Sequence, residues 1–496
     1  MIALAVVTAL LAATSRVAMA SLAAAGARVD HYYWMVAAQA YREQRGLPVR
    51  IRGKYLLEDE RQGYPPLFGL LLGRCGLDRW GSGTALVLEI VQMVILAWVL
   101  AYLRAPIATI ALALALYAAA PVLVTYNLQL NSRMLGDIFL FSLLMAEVAA
   151  TTTGGLTGVA LWGVAAVLTS LVLMTHKMTL QLYAVLLLPW AWALGTFLPI
   201  AAFIVGGAIY VLVVGGRFAA YQFSMHWELV QFWNRHWRLM GAHQFRHSPV
   251  YGDEQANCSS CFHRPGPAGA LKHLRVAASY APAAMLMPLA SAASGAWPPA
   301  WLMVWLGVVY AWALATLLVP RLKCLGGGHL YVFNAVAPAA LWLAWLPAAG
   351  VTRFVVGCGI ALTAVSLAIA WRIVGSRPAP RDHGFFDAVS MLRGQRPGRV
   401  AVFPLQGAEA VAWETPHAVL WGGHGSGLSL MEGFFPVLRQ PLATFLRRHD
   451  VGWVLCDDRY WRLGAADLQR EGLEARGERL FGTWRLTELV PQAART

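Results

Sequence analysis

Residues 28–48 read RVDHYYWMVAAQAYREQRGLP and follow directly on an apolar run at 2–24. From Tyr33 the apolar side chains fall at Tyr33, Val36, Ala37, Ala40 and Tyr41. That is the i, i+3, i+4, i+7, i+8 stripe of an amphipathic helix, and GLP at 46–48 ends it. A chain that has just left an apolar segment therefore sets a lone carboxylate, Asp30, immediately ahead of a short surface helix. Two readings of Asp30 stand side by side. It is an N-cap accepting a backbone N–H, or it is a general base held at a membrane surface beside aromatics that can pack on a sugar or a lipid.

The rest of the chain supports the membrane. Its 496 residues are 58% hydrophobic and 13% charged, with mean hydropathy +0.54. Soluble domains carry about 25% charged residues. Stretches of roughly 18–23 apolar residues match the hydrocarbon thickness of a bilayer. They fall at 2–24, 83–103, 105–124, 136–153, 155–175, 179–197, 199–215, 275–293, 298–319, 328–348 and 351–374. The weak alternating segments of a membrane β-barrel are absent. AMA at 18–20 resembles a signal cleavage site, but no basic residue precedes the run and Arg16 interrupts it, so 2–24 is expected to stay as the first transmembrane helix. Long loops cover 25–82 and 216–274; the second carries HWELVQFWNRHWRLM, which suits a helix in the membrane interface. After the Pro-rich SRPAPRD, residues 375–496 contain the strand-like runs RVAVFPL, HAVLWGG and VGWVLCDD. The fold class expected is a polytopic α-helical membrane protein of about eleven transmembrane helices (1–374) followed by a soluble α/β domain (375–496).

The formal net charge is +14. With no Lys/Arg run and no nucleic-acid motif, the charge points to anionic lipid headgroups and not to nucleic acid. Six cysteines are too few for a disulfide framework. Cys258 and Cys261, in CSSCFH, read as a disulfide, as free thiols, or with His243 and His247 as a metal site.

Four further stretches carry chemistry. Tyr64-Pro65-Pro66 fixes an extended lead into a helix too short to span, LFGLLLG. In YNLQLNSRMLGDIFLF (126–141), Arg133 and Asp137 lie four apart on one helix face. They read as an interfacial ion pair, or as a phosphate-binding arginine beside a second acid. MTHKMT (174–179) offers His176 and Lys177 as cations for a phosphate, or as caps of short helix ends. GGGHLYVFNAVAP (326–338) leads three glycines into His329 and Tyr331, and glycine permits close backbone approach to a ligand.

The order of these stretches resembles that of the GT-C glycosyltransferases, which include oligosaccharyltransferase catalytic subunits, protein O-mannosyltransferases and aminoarabinose transferases. VDHYYW…YPPLFGLLLG resembles their first exoplasmic loop, NSRMLGD an R…LD element, THK a TK element, and GGGHLYVFNAVAP an RY…P…P element with His329 where arginine is usual. The resemblance implies a polyprenyl-phosphate sugar donor, a lipid, glycan or protein acceptor, and inverting transfer. It assigns Asp30 and Asp137 to catalysis, Arg133, Lys177 and His329 to the donor phosphate, and His31, Tyr33, Tyr64 and Tyr331 to substrate. A divalent cation, Mg or Mn, is possible in such a site, but the family acid is often paired, and here His31 and Tyr32 follow Asp30. No metal ligand is assigned. A positive-inside count alone would put the arginine-rich loops in the cytoplasm. The resemblance instead puts them and the C-terminal domain on the exoplasmic side of the plasma (inner) membrane. The rival readings are a transporter or flippase of a lipid-linked saccharide, for which Glu89 and Glu147 inside apolar runs speak, a polysaccharide polymerase or ligase, and a non-catalytic scaffold.

Overall fold

The computed structural model describes residues 2–23, 29–57, 61–236, 267–346, 352–375, 383–422, 427–433, 435 and 439–490. The Cys258–Cys261 stretch, with His243 and His247, lies outside these residues.

The opening apolar run forms α1 (Ile2–Ala23), and the striped segment forms α2 (Val29–Glu43). Tyr33, Val36, Ala37, Ala40 and Tyr41 are all buried, so the predicted stripe is the packed face. The helix begins earlier than its apolar stripe. Asp30 is its second residue and not the residue before it. A carboxylate there still faces the positive end of the helix dipole. Pro66 leads into the nine-residue α3 (Leu67–Cys75), which Gly76 closes in the left-handed conformation at φ 70°. α3 lies so close on α2 that a Cβ on Gly69 would run into the Tyr41 ring.

The bundle continues as α4 (Gly83–Tyr102), α5 (Ile107–Ala119), α6 (Pro121–Tyr126), α7 (Arg133–Thr152), α8 (Gly155–Leu173), α9 (Lys177–Leu194) and α10 (Leu198–Val214). A bend of 109° leads from α10 into the amphipathic α11 (Gly216–Arg235). Next come α12 (Pro267–Tyr280) and α13 (Pro282–Ser294), bent by 89°, then α14 (Ala300–Leu318), α15 (Val336–Trp342) and α16 (Thr352–Gly375). Among the described residues seven helices are long and apolar enough to cross a membrane, or nine if each bent pair is one span. Outward side chains such as Leu188, Phe197 and Leu212 are apolar and exposed, as a lipid-facing surface requires.

The sequence suggested about eleven spans, and the segment at 328–348 shows why the two counts differ. It folds as a 3-10 run (Gly328–Ala335), the short α15 and another 3-10 turn (Leu343–Trp345), with every residue from 331 to 343 buried. Its apolar length serves protein packing, not lipid contact. The glycines that begin it serve packing too. A Cβ on Gly328 would collide with the Ala313 carbonyl oxygen of α14. Gly328→Ala is expected to destabilise the bundle by about 1–3 kcal/mol through overpacking. The readout is a lower thermal unfolding midpoint in detergent.

Two of the acids inside the bundle have polar partners. Arg16 of α1 reaches Glu89 of α4 at 2.7 Å, and the Asn127 amide donates to the same carboxylate at 2.6 Å. Glu147 accepts from Trp190 Nε1 at 2.7 Å and from the Tyr183 hydroxyl at 3.4 Å. An ion pair or hydrogen bonds of this kind lower the cost of burying an acid.

The C-terminal part holds α17 (His383–Arg393), β1 (Arg399–Phe403), α18 (Ala408–Glu414), β2 (Ala418–Val419), α19 (Leu442–Arg448), β3 (Trp453–Asp457), α20 (Ala465–Arg470), β4 (Ala475–Phe481) and β5 (Trp484–Leu489). The sheet order is β2-β1-β3-β5-β4. β1 pairs in parallel with β2 and β3, while β5 pairs antiparallel with β3 and β4. Residues 54–57 of the first loop run along the β2 edge. Tyr55 bridges Val419 in parallel, Leu56 N–H donates to Val419 O at 3.0 Å, and Val419 N–H to Lys54 O at 2.8 Å. Lys54 Nζ caps the end of α18 through Ala412 O at 2.6 Å and Thr415 O at 3.0 Å, and the Tyr55 hydroxyl donates to buried Glu409. Val400, Val402 and Leu455 share one core with α2. The domain is therefore stitched to the loop that carries Asp30.

Candidate active site

The connection from α6 to α7 is where the site begins. Its sequence, NLQLNS (127–132), is polar between two apolar helices, and Asn131 organises it. The Asn131 amide donates to Tyr126 O and to Gln129 O, the latter at 3.2 Å, and its Oδ1 accepts from Arg133 N–H at 3.0 Å. That last bond satisfies an orphan donor at the start of α7. From this connection Gln129 Nε2 donates to Asp30 Oδ2 at 3.0 Å, across 99 positions of sequence.

Arg133 follows directly. Its guanidinium lies 4.8 Å from the centre of the Tyr126 ring, and Nη1 is 3.8 Å from Met178 Sδ. Lys177, the first residue of α9, places Nζ 5.4 Å from the centre of the Tyr64 ring. Both cations thus rest on aromatic faces, where attraction to the ring is worth about 0.5–1 kcal/mol or more when desolvated. Arg133 and Asp30 both act electrostatically on Lys177. Tyr64 sits among them, hydrogen-bonded with Ser132. Burial pushes its hydroxyl up to about 12, against the downward pull of Ser132 and Arg133, so it stays a neutral phenol. His176 is not a cation here. Burial, then Arg133 and Lys177, hold its imidazole well below the ordinary histidine range. It caps α9, with Nδ1 accepting from Thr179 N–H at 3.3 Å. Gly136 makes this possible, because a Cβ there would press on Thr179 Oγ1 at 2.8 Å.

Of the residues singled out in the sequence, Asp30, Tyr64, Arg133 and Lys177 come together. The others are placed differently. Asp137 is 1% exposed, one turn beyond Arg133. No ion pair joins the two among the described residues, and Asp137 shares its surroundings with Tyr117, Glu89 and Arg16 on the inner side of the bundle. His329 stands one ring further out: its imidazole lies 5.9 Å from Tyr280, which lies 6.3 Å from Tyr126. Tyr331 is fully buried, and its hydroxyl meets Gln181 Oε1 and Leu325 O. Tyr33 is buried as well, donating to Gln62 Oε1 at 2.7 Å. His31 turns toward Gly81, ahead of α4. Gln129, Ser132 and Met178 were not singled out, nor was Gln181, whose amide meets His226 Nε2 of α11 at 2.8 Å. The one signal for Gln129 was the polarity of 127–132 between apolar helices.

No protein-family model matches the chain, and no curated protein matches it in sequence. Solved structures match it in fold. The apo form of the Archaeoglobus fulgidus oligosaccharyltransferase gives a TM-score of 0.56 at 12% identity, over 91% of this chain and 69% of that one. The complex of the Archaeoglobus fulgidus oligosaccharyltransferase with Zn and sulfate gives 0.54 at 12% identity, over 95% and 71%. ArnT from Cupriavidus metallidurans bound to undecaprenyl phosphate gives 0.52 at 13% identity, over 98% and 97%. Both proteins are GT-C glycosyltransferases, so the likeness read from the short motifs holds at the level of fold. The chain has the GT-C fold and is a multi-pass membrane protein with a small C-terminal sheet domain.

A divalent cation takes several oxygen ligands. Among the described residues no three His, Cys, Asp or Glu side chains gather to hold one. Among the described residues, Asp30 has the Gln129 amide, the Tyr64 ring and the Lys177 ammonium in its surroundings.

Proposed function

We propose that this protein is a membrane glycosyltransferase that moves a sugar from a polyprenyl-phosphate-linked donor to a lipid, glycan or protein acceptor, with inversion at the anomeric carbon. The observation that carries the reading is the gathering of one carboxylate, Asp30, and two ring-mounted cations, Arg133 and Lys177, at the same end of the bundle from three separate elements. The match to a structure holding undecaprenyl phosphate supports the donor class. In this reading Asp30 accepts the proton of an acceptor hydroxyl as its oxygen bonds to the anomeric carbon. The bond from that carbon to the phosphate oxygen breaks on the opposite face, and the electron pair leaves with the phosphate. Arg133 and Lys177 stabilise the charge that develops there. His329, through Tyr280, and Tyr64 line the approach. No step is routed through a metal.

Residues 1–374 form the catalytic unit. The first loop, the 216–274 loop and the domain at 375–496 face the exoplasmic side of the plasma membrane, where a lipid-phosphate headgroup meets the arginine-rich surface. Fixed partners for Glu89 and Glu147 favour this reading over a flippase, whose pathway charges face a cavity.

The test uses purified protein and an undecaprenyl-phosphate-linked hexose of known anomeric configuration, with a membrane lipid extract as acceptor. Release of undecaprenyl phosphate and a product of opposite configuration are expected. A product of retained configuration overturns the single displacement. Movement of the donor between vesicle leaflets without phosphate release favours the flippase.

A further inference from the structure

We infer that Gln129 is the positioning residue of the base: it sets the rotation of the Asp30 carboxylate and ties it to the phosphate-binding arginine. The inference rests on reading Asp30 as that base. A carboxylate oxygen only accepts, so the 3.0 Å contact fixes the amide with Nε2 toward Asp30 Oδ2. The backbone of Gln129 is itself held, because its carbonyl accepts from Asn131, whose side chain also binds Tyr126 O and Arg133 N–H. One short, cross-braced connection therefore carries a hydrogen-bond donor to Asp30 near its start and Arg133 at its end. In the proposed displacement these two groups act at opposite ends of the reacting bonds. Their separation is set by 127–132, not by the longer covalent path through α2 to α6.

The choice of an amide has a chemical reason. A cation at this position would lower the basicity of Asp30 by about 1–3 pH units, and a second acid would keep one of the pair protonated. A neutral donor orients the carboxylate without adding a further charge to the two cations already near it.

Three variants test this with the undecaprenyl-phosphate hexose assay across pH. Gln129→Glu places two carboxylates in contact. The acid limb of the pH–rate profile is expected to move up by at least about one unit, with about a tenfold loss at pH values below both limbs that recovers above the new one. Gln129→Leu is expected to lower kcat about tenfold or more with donor KM unchanged and the acid limb unmoved. Asp30→Asn/Gln129→Glu keeps the hydrogen bond and the charge but transposes the acid; it is expected to fold like the parent and to remain inactive. A purely structural contact predicts the reverse pattern. Gln129→Glu and Gln129→Leu would lose rate and thermal stability together, with no movement of the limb, and the inference would fall. If Asp30→Asn is inactive while Gln129→Glu keeps the wild-type limb, the base stands and the role of Gln129 fails. If Asp30→Asn keeps full activity, the base itself fails, and this inference with it.

Discussion

Asp30→Asn is expected to lower sugar transfer by about 10²–10⁴-fold, the range that a positioned general base contributes. The substitution keeps the shape of the side chain and removes the oxygen that takes the proton. The contact with Gln129 survives it, because the Gln129 amide can turn and accept from the new Asn nitrogen. The start of α2 loses a carboxylate favoured by the helix dipole, an effect of about 0.3–1 kcal/mol. That is small beside the packing of Tyr33, Val36, Ala37 and Tyr41 beneath it. The variant should therefore elute, unfold and insert like the parent. Donor KM is expected to hold while kcat falls, the pattern of an interaction made in the transition state. Phosphate release from the undecaprenyl-linked donor gives the rate, and size exclusion with thermal unfolding gives the fold. Wild-type turnover in this variant would return Asp30 to the role of a residue that only steadies the first turn of a helix.

Asp30, Arg133 and Lys177 stand out in the sequence for one physical reason. An ionic group at the edge of an apolar segment is costly, so its presence asks for a partner or a purpose. Gln129 and Gln181 carry no such cost, and an amide in a connection looks ordinary until the fold shows what it touches. Spacing misdirected the reading of Asp137. Positions four apart share a helix face, but Arg133 is long enough to turn away onto Tyr126 and Met178. Asp137 stays behind, within the bundle. The fold divides in the same manner. The stripe at 33–41, the Pro-led α3, and strands β1 and β3 follow from local pattern. The segment at 328–348 does not, because hydropathy measures aversion to water and cannot separate burial in lipid from burial in protein. Nor does the edge pairing of Tyr55 with Val419, which joins positions 364 apart by backbone hydrogen bonds that leave no trace in side-chain pattern. What local pattern lacks is the long-range geometry that puts the C-terminal domain on the loop of Asp30.

Arg133→Gln and Lys177→Met are each expected to lower kcat by about 10²–10³-fold, the scale for removing one preorganised group aimed at developing charge. Both cations lie on aromatic faces in partly buried positions. Water screens them poorly there, and added salt is expected to weaken donor binding less than it would at an exposed site. If both act on the same leaving phosphate, as proposed, their effects are expected to be non-additive, with the double variant losing less than the product of the single losses. Arg133→Lys is not expected to restore activity. The guanidinium is a planar fork that stacks on Tyr126 while it donates, whereas an ammonium is a compact, strongly hydrated point charge. The decisive measurement varies the leaving group. If Arg133 and Lys177 stabilise charge on the departing phosphate, a donor with a more acidic leaving phosphate needs them less, and the loss in both variants shrinks. The Asp30→Asn loss, which belongs to the acceptor side, is then expected to stay constant across the same donors. A loss at Arg133 that ignores the leaving group would mean that this arginine only anchors the connection between α6 and α7.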